Sequence, residues 1–238
     1  MTGKLYGIGL GPGDPELMTL KAARLIAGAK VIAYPRLAGG TSFARSIAAD
    51  HIAPGTREIV MDIPMTVDRA PAQAAYDAGA LAIRTELDAG HDVVVLCEGD
   101  PFFYGSFMYL YARLRSDYPV EVVPGVSSAM SCAAVAGLPL AARNEVVTIL
   151  PAPELARRLS GGNPTQTLPP SDTIVVMKLG RHFAAVRAAI EVAGLTDKAV
   201  YIERASTPDE QVMPLSKAPE KAPYFSMILI VKGADPWL

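Results

Sequence analysis

The chain has 238 residues, of which 50% are hydrophobic and 19% are charged. Lys and Arg number 22 and Asp and Glu 24, which gives a formal net charge of -2. This balance argues against a nucleic-acid-binding protein, which would carry a basic surplus, and against a disordered acidic chain. A chain of this length and composition can bury a substantial core, as one large domain or two small ones.

The two cysteines, Cys97 and Cys132, form no CxxC or other metal-ligand spacing and lie in apolar surroundings, so we expect buried, reduced thiols. Residues 1–14 hold one lysine and a short apolar run broken by glycines, which is not typical of a signal peptide. The longest stretch of small apolar residues, 129–142, is interrupted by Gly137 and Pro139 and is too short to cross a bilayer. We therefore expect a cytoplasmic protein without a membrane segment.

The first half alternates strand-like and helix-like segments. Residues 5–10 predict a strand, and Asp14-Pro15-Glu16 predicts the start of a helix that runs to about Gly28. Apolar runs predict further strands at residues 31–34, 58–63 and 93–97. Apolar residues at helical spacing predict two more helices, marked by Tyr76, Ala80, Ile83 and Leu87 and by Phe107, Leu110, Tyr111 and Leu114. This alternation predicts a mostly parallel sheet that is covered on both faces.

The pattern restarts near residues 116–119. Strands are predicted at residues 120–123, 145–150, 173–177, 199–203 and 226–231. Helices are predicted around residues 129–136 and 183–190. We therefore expect two α/β domains, residues 1–117 and residues 118–238.

A glycine-rich segment, Gly7-Ile8-Gly9-Leu10-Gly11-Pro12-Gly13-Asp14, joins the first strand to the first helix. It fails the dinucleotide-binding fingerprint, because the third glycine position falls on Pro12, Asp14 or Glu16 in the three possible registers. The second strand also ends in Tyr34-Pro35, without the acidic residue that would hold a ribose. The sequence therefore argues against a dinucleotide site and against the common Rossmann-type methyltransferase fold, and leaves open a simple tight turn.

Two further loops have the same setting. Glu98-Gly99-Asp100-Pro101-Phe102-Phe103-Tyr104-Gly105 follows the strand at 93–97, and Pro124-Gly125-Val126-Ser127-Ser128 follows the strand at 120–123. Ligands of open α/β sheets bind outside the carboxyl ends of the strands, where all three loops fall. Three such loops in one chain predict a ligand site at this edge.

These loops, together with Glu203-Arg204-Ala205-Ser206-Thr207, resemble the class III tetrapyrrole methyltransferases over nearly the whole chain and in the family's order. Residues 97–109, 33–35, 176–180 and 224–226 resemble the branch that methylates precorrin-2 at carbon 20. The resemblance implies a homodimer whose subunits have two αβα domains with a cleft between them. S-adenosylmethionine would lie folded in that cleft, held largely by backbone atoms, and would leave as S-adenosylhomocysteine.

The resemblance also assigns residues. The cofactor contacts would be Pro12, Glu98, Gly99, Asp100, Phe103, Tyr104, Ser127, Ser128, Met177 and Ala205. The tetrapyrrole would lie in a trough of the first domain, against residues 9–14 and near Tyr34-Pro35. We expect Gly11, Asp14, Tyr34, Arg36 and Arg204 to contact it.

Methyl transfer from a sulfonium needs positioning and exclusion of water more than a nucleophilic residue. The chain fits this requirement: residues 125–129 fail the GxSxG pattern, and the histidines, His51, His91 and His182, are scattered. No metal-ligand set stands out. Glu98, Asp100 and Tyr104 are the candidates to take the proton that must leave, although Asp100 has a competing role as a helix cap.

Precorrin-2 carries several carboxylates, which need cationic partners. The candidates at predicted strand ends are Arg36, Arg45, Arg69, Arg143, Lys178, Arg181 and Arg204. Any one of them could instead be a solvated surface side chain. Arg36 and Arg204 are preferred because they adjoin the family motifs.

Three alternatives stay open from the sequence. The substrate could be the cobalt complex in place of metal-free precorrin-2, or the chain could be another class III methyltransferase that acts elsewhere on the macrocycle or on another substrate. The chain could also be a binding module that holds a tetrapyrrole without catalysis.

Overall fold

The computed structural model describes residues 2–64, 66, 68–159 and 168–233. The chain divides into two compact units, Met1–Ser127 and Ser128–Leu238, each of which is built around one five-stranded sheet. Within the described ranges, no helix is long and apolar enough to cross a membrane.

The sheet of the first unit is entirely parallel, with the strand order β3-β2-β4-β1-β5. Its strands are β1 (Leu5–Gly9), β2 (Val31–Leu37), β3 (Arg57–Ile63), β4 (Val93–Cys97) and β5 (Val120–Val123). Because all five strands run the same way, the loops that follow them meet at one edge of the sheet.

Helices cover both faces of this sheet. They are α1 (Leu20–Ala27), α2 (Phe43–Ile47), α3 (Ala70–Asp88) and α4 (Phe107–Leu114). Alternate residues of the central strand β4 point to opposite faces: Val93, Val95 and Cys97 pack with α3 and α4, and Val94 and Leu96 pack with α1 and α2. The unit is therefore a three-layer αβα sandwich.

The second unit has a mixed sheet in the order β6-β7-β10-β8-β9. Its strands are β6 (Val147–Pro151), β7 (Thr173–Met177), β8 (Ala199–Glu203), β9 (Gln211–Pro214) and β10 (Ser226–Val231). β6 and β7 are parallel, and β10 is antiparallel to both β7 and β8. The carboxyl ends of β6, β7 and β8 therefore share one edge with the amino end of β10.

This sheet is also covered on both faces. The helices α6 (Ala152–Leu159) and α7 (Phe183–Val192) pack on one face, in a core that includes Phe183, Tyr201 and Ile228. The helix α5 (Ser128–Ala136) lies against β8 and β10. Short 3-10 segments complete the regular structure at Pro15–Leu17, Ala49–His51, Gly180–His182, Thr196–Lys198 and Leu215–Lys217.

The predicted α/β architecture is present, with three local differences. The division between the units falls after Ser127 and not at residue 118, because β5 pairs with β1 and belongs to the first sheet. The helix expected between Asp14 and Gly28 is a 3-10 turn followed by α1, separated where Thr19 caps α1. The elements α2, α6 and β9 lie outside the predicted helices and strands.

The packing of Gly7 gives a first test. A Cβ built on Gly7, at the centre of β1, would lie 2.3 Å from the ring of Phe107, which is 1% exposed. Gly7→Ala should therefore destabilise the chain by about 1–3 kcal/mol, the usual effect of overpacking a core. Gly28→Ala is the matched control, since its Cβ would meet only the Arg24 carbonyl oxygen at 3.6 Å. Urea denaturation that gives equal stabilities for the two variants would contradict this packing.

Candidate functional site

Three loops of the first unit converge where their strands end. They are the β1 loop (residues 10–14), the β4 loop (residues 98–106) and the β5 loop (residues 124–127), and they follow neighbouring strands of the sheet. Gly11 and Gly99 exchange two backbone hydrogen bonds, Gly99 N to Gly11 O at 2.8 Å and Gly11 N to Gly99 O at 3.2 Å. The structure therefore brings the three sequence-predicted loops together.

The backbones of these loops touch at glycines. A Cβ on Gly125 would lie 2.2 Å from the Gly99 carbonyl oxygen, and one on Gly9 would lie 2.5 Å from the Gly125 nitrogen. No side chain fits at either position without separating the loops. Gly99 differs: its φ is +62°, which favours glycine, and the first atom that its Cβ would meet is the Val126 carbonyl oxygen at 4.0 Å. The space beside the Gly99 backbone is open for a ligand to approach.

Asp100 ties the β4 loop to the β5 loop. Its Oδ1 accepts hydrogen bonds from the backbone N–H groups of Phe102 (2.9 Å) and Phe103 (3.1 Å), and its Oδ2 accepts one from Gly125 N (3.1 Å). The carboxylate thus caps a turn, and the helix expected directly after it starts later, at Phe107. Three backbone partners give Asp100 a structural role, ahead of the proton transfer that the sequence left open.

Glu98 and Tyr104 present polar groups on the same loop. Desolvation raises the pKa of the Glu98 carboxyl, and a backbone hydrogen bond from Ala44 in α2 opposes this rise. Tyr104 is 41% exposed, and its ring meets the edge of Phe103 with centroids 5.2 Å apart. Glu98 is exposed by its accessible surface, so the raised pKa reflects neighbouring groups that crowd the carboxyl and not burial of the whole residue.

Several residues expected to contact the substrate already have protein partners. Tyr34 is 5% exposed, and its hydroxyl donates to Glu58, so its side chain belongs to the core. Arg36 lies opposite Asp62 in the neighbouring strand and donates to both of its carboxylate oxygens, at 2.6 and 3.2 Å. Asp14 accepts from the Glu16 backbone N–H and caps a 3-10 turn. The burial of Tyr34 leaves its backbone as the part that a substrate could meet, and the pairings of Arg36 and Asp14 give these residues competing roles.

Two more of the candidate cations, Arg45 and Arg204, also have carboxylate partners. Arg45 donates to both oxygens of Glu58, at 2.9 and 2.8 Å, and Arg204 donates to Asp209 at 3.3 Å. Desolvation lowers the pKa of Lys178, which lies directly after β7. A substrate carboxylate would have to replace an existing carboxylate partner at Arg36, Arg45 or Arg204.

The second unit groups its predicted site residues at the edge where β7 and β8 end. Met177, the last residue of β7, and Ile202, near the end of β8, both pair with Met227 of β10. Met177 and Ala205, which follows β8, therefore lie at the same edge of the sheet. Met177 is 7% exposed, whereas Ala205 and Ser128 are half-buried. The Met177 side chain belongs to the core, and a ligand would meet its backbone.

Strained backbone is concentrated at these loops. Across the described ranges, five non-glycine residues have a positive φ, and four of them are Tyr104 (56°), Lys178 (59°), Arg204 (49°) and Ser206 (59°), which follow the ends of β4, β7 and β8. The fifth is Arg143 (48°). Such conformations persist where the surrounding structure enforces them, and they cluster at binding sites.

A cavity of about 480 Å³ opens at the opposite edge of the first sheet, before β2 and β3, where it is lined by Lys30, Gly55, Arg57 and His91 among others. It touches none of the predicted site residues, and ligands of parallel sheets bind beyond the carboxyl ends of the strands. In the part of the chain that the structure describes, no three His, Cys, Asp or Glu side chains lie together as a metal site would require.

Sequence reasoning named Tyr34 and Arg45 but missed Glu58, which links them, and it missed Ser131. Tyr34, Glu58 and Arg45 form a hydrogen-bonded group whose partners lie on different elements. Ser131, on α5, is 3% exposed, and its hydroxyl lies 2.6 Å from that of Ser206. The sequence gives only a weak signal for Ser131, a polar residue in a predicted helix that is otherwise mostly apolar.

Comparison with known proteins identifies the family. The family model for tetrapyrrole (corrin/porphyrin) methylases matches residues 4–219. Precorrin-2 C(20)-methyltransferase from Sinorhizobium sp is 38% identical over 98% of this chain and 97% of its own length. Cobalt-precorrin-2 C(20)-methyltransferase from Salmonella typhimurium is 32% identical over 98% of both chains.

A longer relative and a solved structure agree with these matches. Cobalamin biosynthesis protein CobIJ from Mycobacterium bovis is 42% identical over 97% of this chain, which spans 46% of that relative's length. The crystal structure of uroporphyrin-III C-methyltransferase from Thermus thermophilus, complexed with S-adenosylhomocysteine, superimposes with a TM-score of 0.66 at 29% identity. It covers 95% of this chain and 97% of that one. The resemblance and the fold class expected from the sequence are therefore confirmed, and the chain belongs to the tetrapyrrole (corrin/porphyrin) methylase family.

Proposed function

We propose that the chain is an S-adenosylmethionine-dependent C-methyltransferase that methylates precorrin-2 at carbon 20 and gives precorrin-3A in corrin ring biosynthesis. The observation that carries the proposal is the meeting of the β1, β4 and β5 loops, whose backbones touch at Gly9, Gly99 and Gly125 and leave open space beside Gly99. The likeness over nearly full length to a precorrin-2 C(20)-methyltransferase supports the choice of substrate.

The site residues fit a ligand that is bound mainly by backbone atoms. In the first unit we assign cofactor contacts to Pro12, Glu98, Gly99, Asp100, Phe103, Tyr104 and Ser127. In the second unit we assign them to Ser128, Met177 and Ala205, with Met177 acting through its backbone because its side chain is buried. The tetrapyrrole contacts proposed in the first unit are Gly11, Asp14 and Arg36, and Arg204 is proposed in the second.

S-adenosylmethionine supplies a methyl group on a sulfonium, which is already activated for in-line displacement. The task of the protein is to position this group and the acceptor carbon and to exclude water, and orientation of this kind can contribute roughly 7–11 kcal/mol to lowering the barrier. Rigid loops held by glycine contacts and by Asp100 suit that task. Because the methyl donor is already activated, the reaction needs no nucleophilic side chain from the protein.

We propose Glu98 as the group that accepts the proton from the methylated carbon. Although the residue is exposed, crowding by neighbouring groups raises the pKa of its carboxyl, which brings that pKa closer to the value that favours proton transfer near neutral pH. Asp100 is fully engaged with backbone N–H groups, so we assign it to positioning.

We further propose that the enzyme is a cytoplasmic homodimer, on the family resemblance. Metal-free precorrin-2 is the preferred substrate, because the relative named for it shares more identity over nearly full length than the relative named for the cobalt complex, at 38% against 32%. The cobalt complex is the second candidate.

A methyl-transfer assay tests the reaction directly. Incubation with S-adenosylmethionine that carries ¹³C in its methyl group, with precorrin-2 and cobalt-precorrin-2 in separate reactions, should place the label on carbon 20 by NMR, with faster turnover of the metal-free substrate. Labelling at another carbon would contradict the assigned position. No transfer to either substrate, with S-adenosylhomocysteine still bound, would favour the non-catalytic binding module.

The role of Glu98 gives a second test. Glu98→Gln should lower kcat by roughly 10²–10⁴ and remove the acidic limb of the pH profile, because the amide cannot accept the proton. The raised pKa means that the charged form of Glu98 is unfavourable in the folded state. The neutral carboxyl favours folding at low pH, and this stabilisation is lost as pH rises through the raised pKa. The Gln variant should therefore be at least as stable as wild type at neutral pH.

Glu16→Gln serves as the control, because Glu16 is an exposed carboxylate beside the β1 loop. It should leave both kcat and the pH profile unchanged. Wild-type turnover and an unaltered profile in Glu98→Gln would exclude Glu98 as the proton acceptor.

A further inference from the structure

The loop that follows β8 is strained, and the hydrogen bonds within it come from Thr207, whose backbone N–H and hydroxyl both donate to the Arg204 carbonyl oxygen. Arg204 and Ser206 both have left-handed backbones, with φ of 49° and 59°, and they flank Ala205. For residues other than glycine this conformation costs roughly 1–2 kcal/mol each. Contacts with side chains outside residues 204–207 help to offset this cost and hold the loop in place.

Two side chains supply contacts to Ser206. The Ser131 hydroxyl, on α5, lies 2.6 Å from the Ser206 hydroxyl, and the Glu210 carboxylate accepts a hydrogen bond from the Ser206 backbone N–H at 2.6 Å. Ser131 is 3% exposed, so its hydroxyl has little access to water and depends on this partner. The loop is thereby tied to a helix that packs on the same sheet.

The surroundings of Cys132, on α5, also indicate that α5 lies close to the segment that follows β8. Burial raises the pKa of the Cys132 thiol to about 12, and the nearby Glu210 carboxylate adds to the rise. Glu210 is linked to α5 through Ser206, whose backbone N–H donates to Glu210 and whose hydroxyl contacts that of Ser131. The helix, the strained loop and the carboxylate form one connected group.

We propose that Ser131 is a positioning residue for the cofactor, which acts by holding the Arg204–Thr207 loop through Ser206 so that the Ala205 backbone is already in its binding conformation. This inference rests on the proposed function, because it assumes that Ala205 contacts S-adenosylmethionine. A loop that is ordered in advance avoids the entropy cost of being ordered on binding, so loss of the tie weakens binding without a change at the reacting atoms.

The test is calorimetric titration of the full chain with S-adenosylhomocysteine. Ser131→Ala should weaken binding roughly two- to tenfold, the range expected for one neutral hydrogen bond. At saturating S-adenosylmethionine its kcat should match wild type, since the effect lies in the KM for the cofactor. Ser206→Ala should give a similar loss, and the double variant should be no weaker than either single variant, because both remove the same interaction.

The chain offers a matched control in the same unit. Thr148 and Ser171 form another hydroxyl pair, and Ser171 is 4% exposed, but the pair lies at the opposite edge of the sheet, before β7. Ser171→Ala should lower the stability to urea as Ser131→Ala does and leave the affinity for S-adenosylhomocysteine unchanged.

The outcomes separate this inference from the proposed function. Wild-type affinity in folded Ser131→Ala, or an equal loss in Ser171→Ala, overturns the positioning role while the methyltransferase proposal stands. Should Ser131→Ala fail to fold, the affinity of Ser206→Ala decides in the same way. A wild-type chain that binds no S-adenosylhomocysteine overturns the proposed function and this inference with it.

Discussion

The contact between the β1, β4 and β5 loops constrains the rest of the candidate site. At Gly9 and Gly125 the backbones are so close that a Cβ would lie within 2.5 Å of a neighbouring main-chain atom. Two hydrogen bonds between Gly11 and Gly99 and one from Gly125 to the Asp100 carboxylate hold the loops at this separation. Backbone N–H and C=O groups, fixed by the parallel sheet beneath them, therefore form the surface that a ligand meets.

The second unit presents backbone in another way. Its loop after β8 is held in left-handed conformations at Arg204 and Ser206 by side chains of α5 and of the loop itself. In the first unit, the close approach of glycine backbones fixes the loops. In the second unit, hydrogen bonds to Ser206 hold the strained loop after β8. Both arrangements favour recognition of a ligand by main-chain atoms, which suits a chain whose net charge is close to zero.

The sequence was most informative where a short apolar run ends at turn residues or charged residues. The bounds of β4, β5, β7, β8 and β10 were predicted to the residue, because each is an apolar run that ends in turn residues or charged residues. The three site loops could be located for the same reason, since each directly follows such a strand. The predicted domain boundary differed because the pairing of β5 with β1 joins segments more than a hundred residues apart.

Side-chain partners were not predictable from the sequence. Arg36 faces Asp62, and Tyr34 reaches Glu58, only because of the register between β2 and β3, which a sequence pattern does not specify. The link between Ser131 and Ser206 likewise depends on how α5 packs on its sheet. The structure therefore adds protein partners to the predicted substrate contacts, which stay predictions.

The most direct test concerns the open space beside the Gly99 backbone. Gly99→Leu and Gly55→Leu place the same side chain on left-handed backbones, with φ of +62° and +83°, and neither Cβ would meet a protein atom closer than 4.0 Å. Both variants should fold with a similar loss of stability of about 1–2 kcal/mol. Titration with S-adenosylhomocysteine should show binding lost in Gly99→Leu and unchanged in Gly55→Leu, which lies at the opposite edge of the sheet. Wild-type affinity in folded Gly99→Leu would contradict the account.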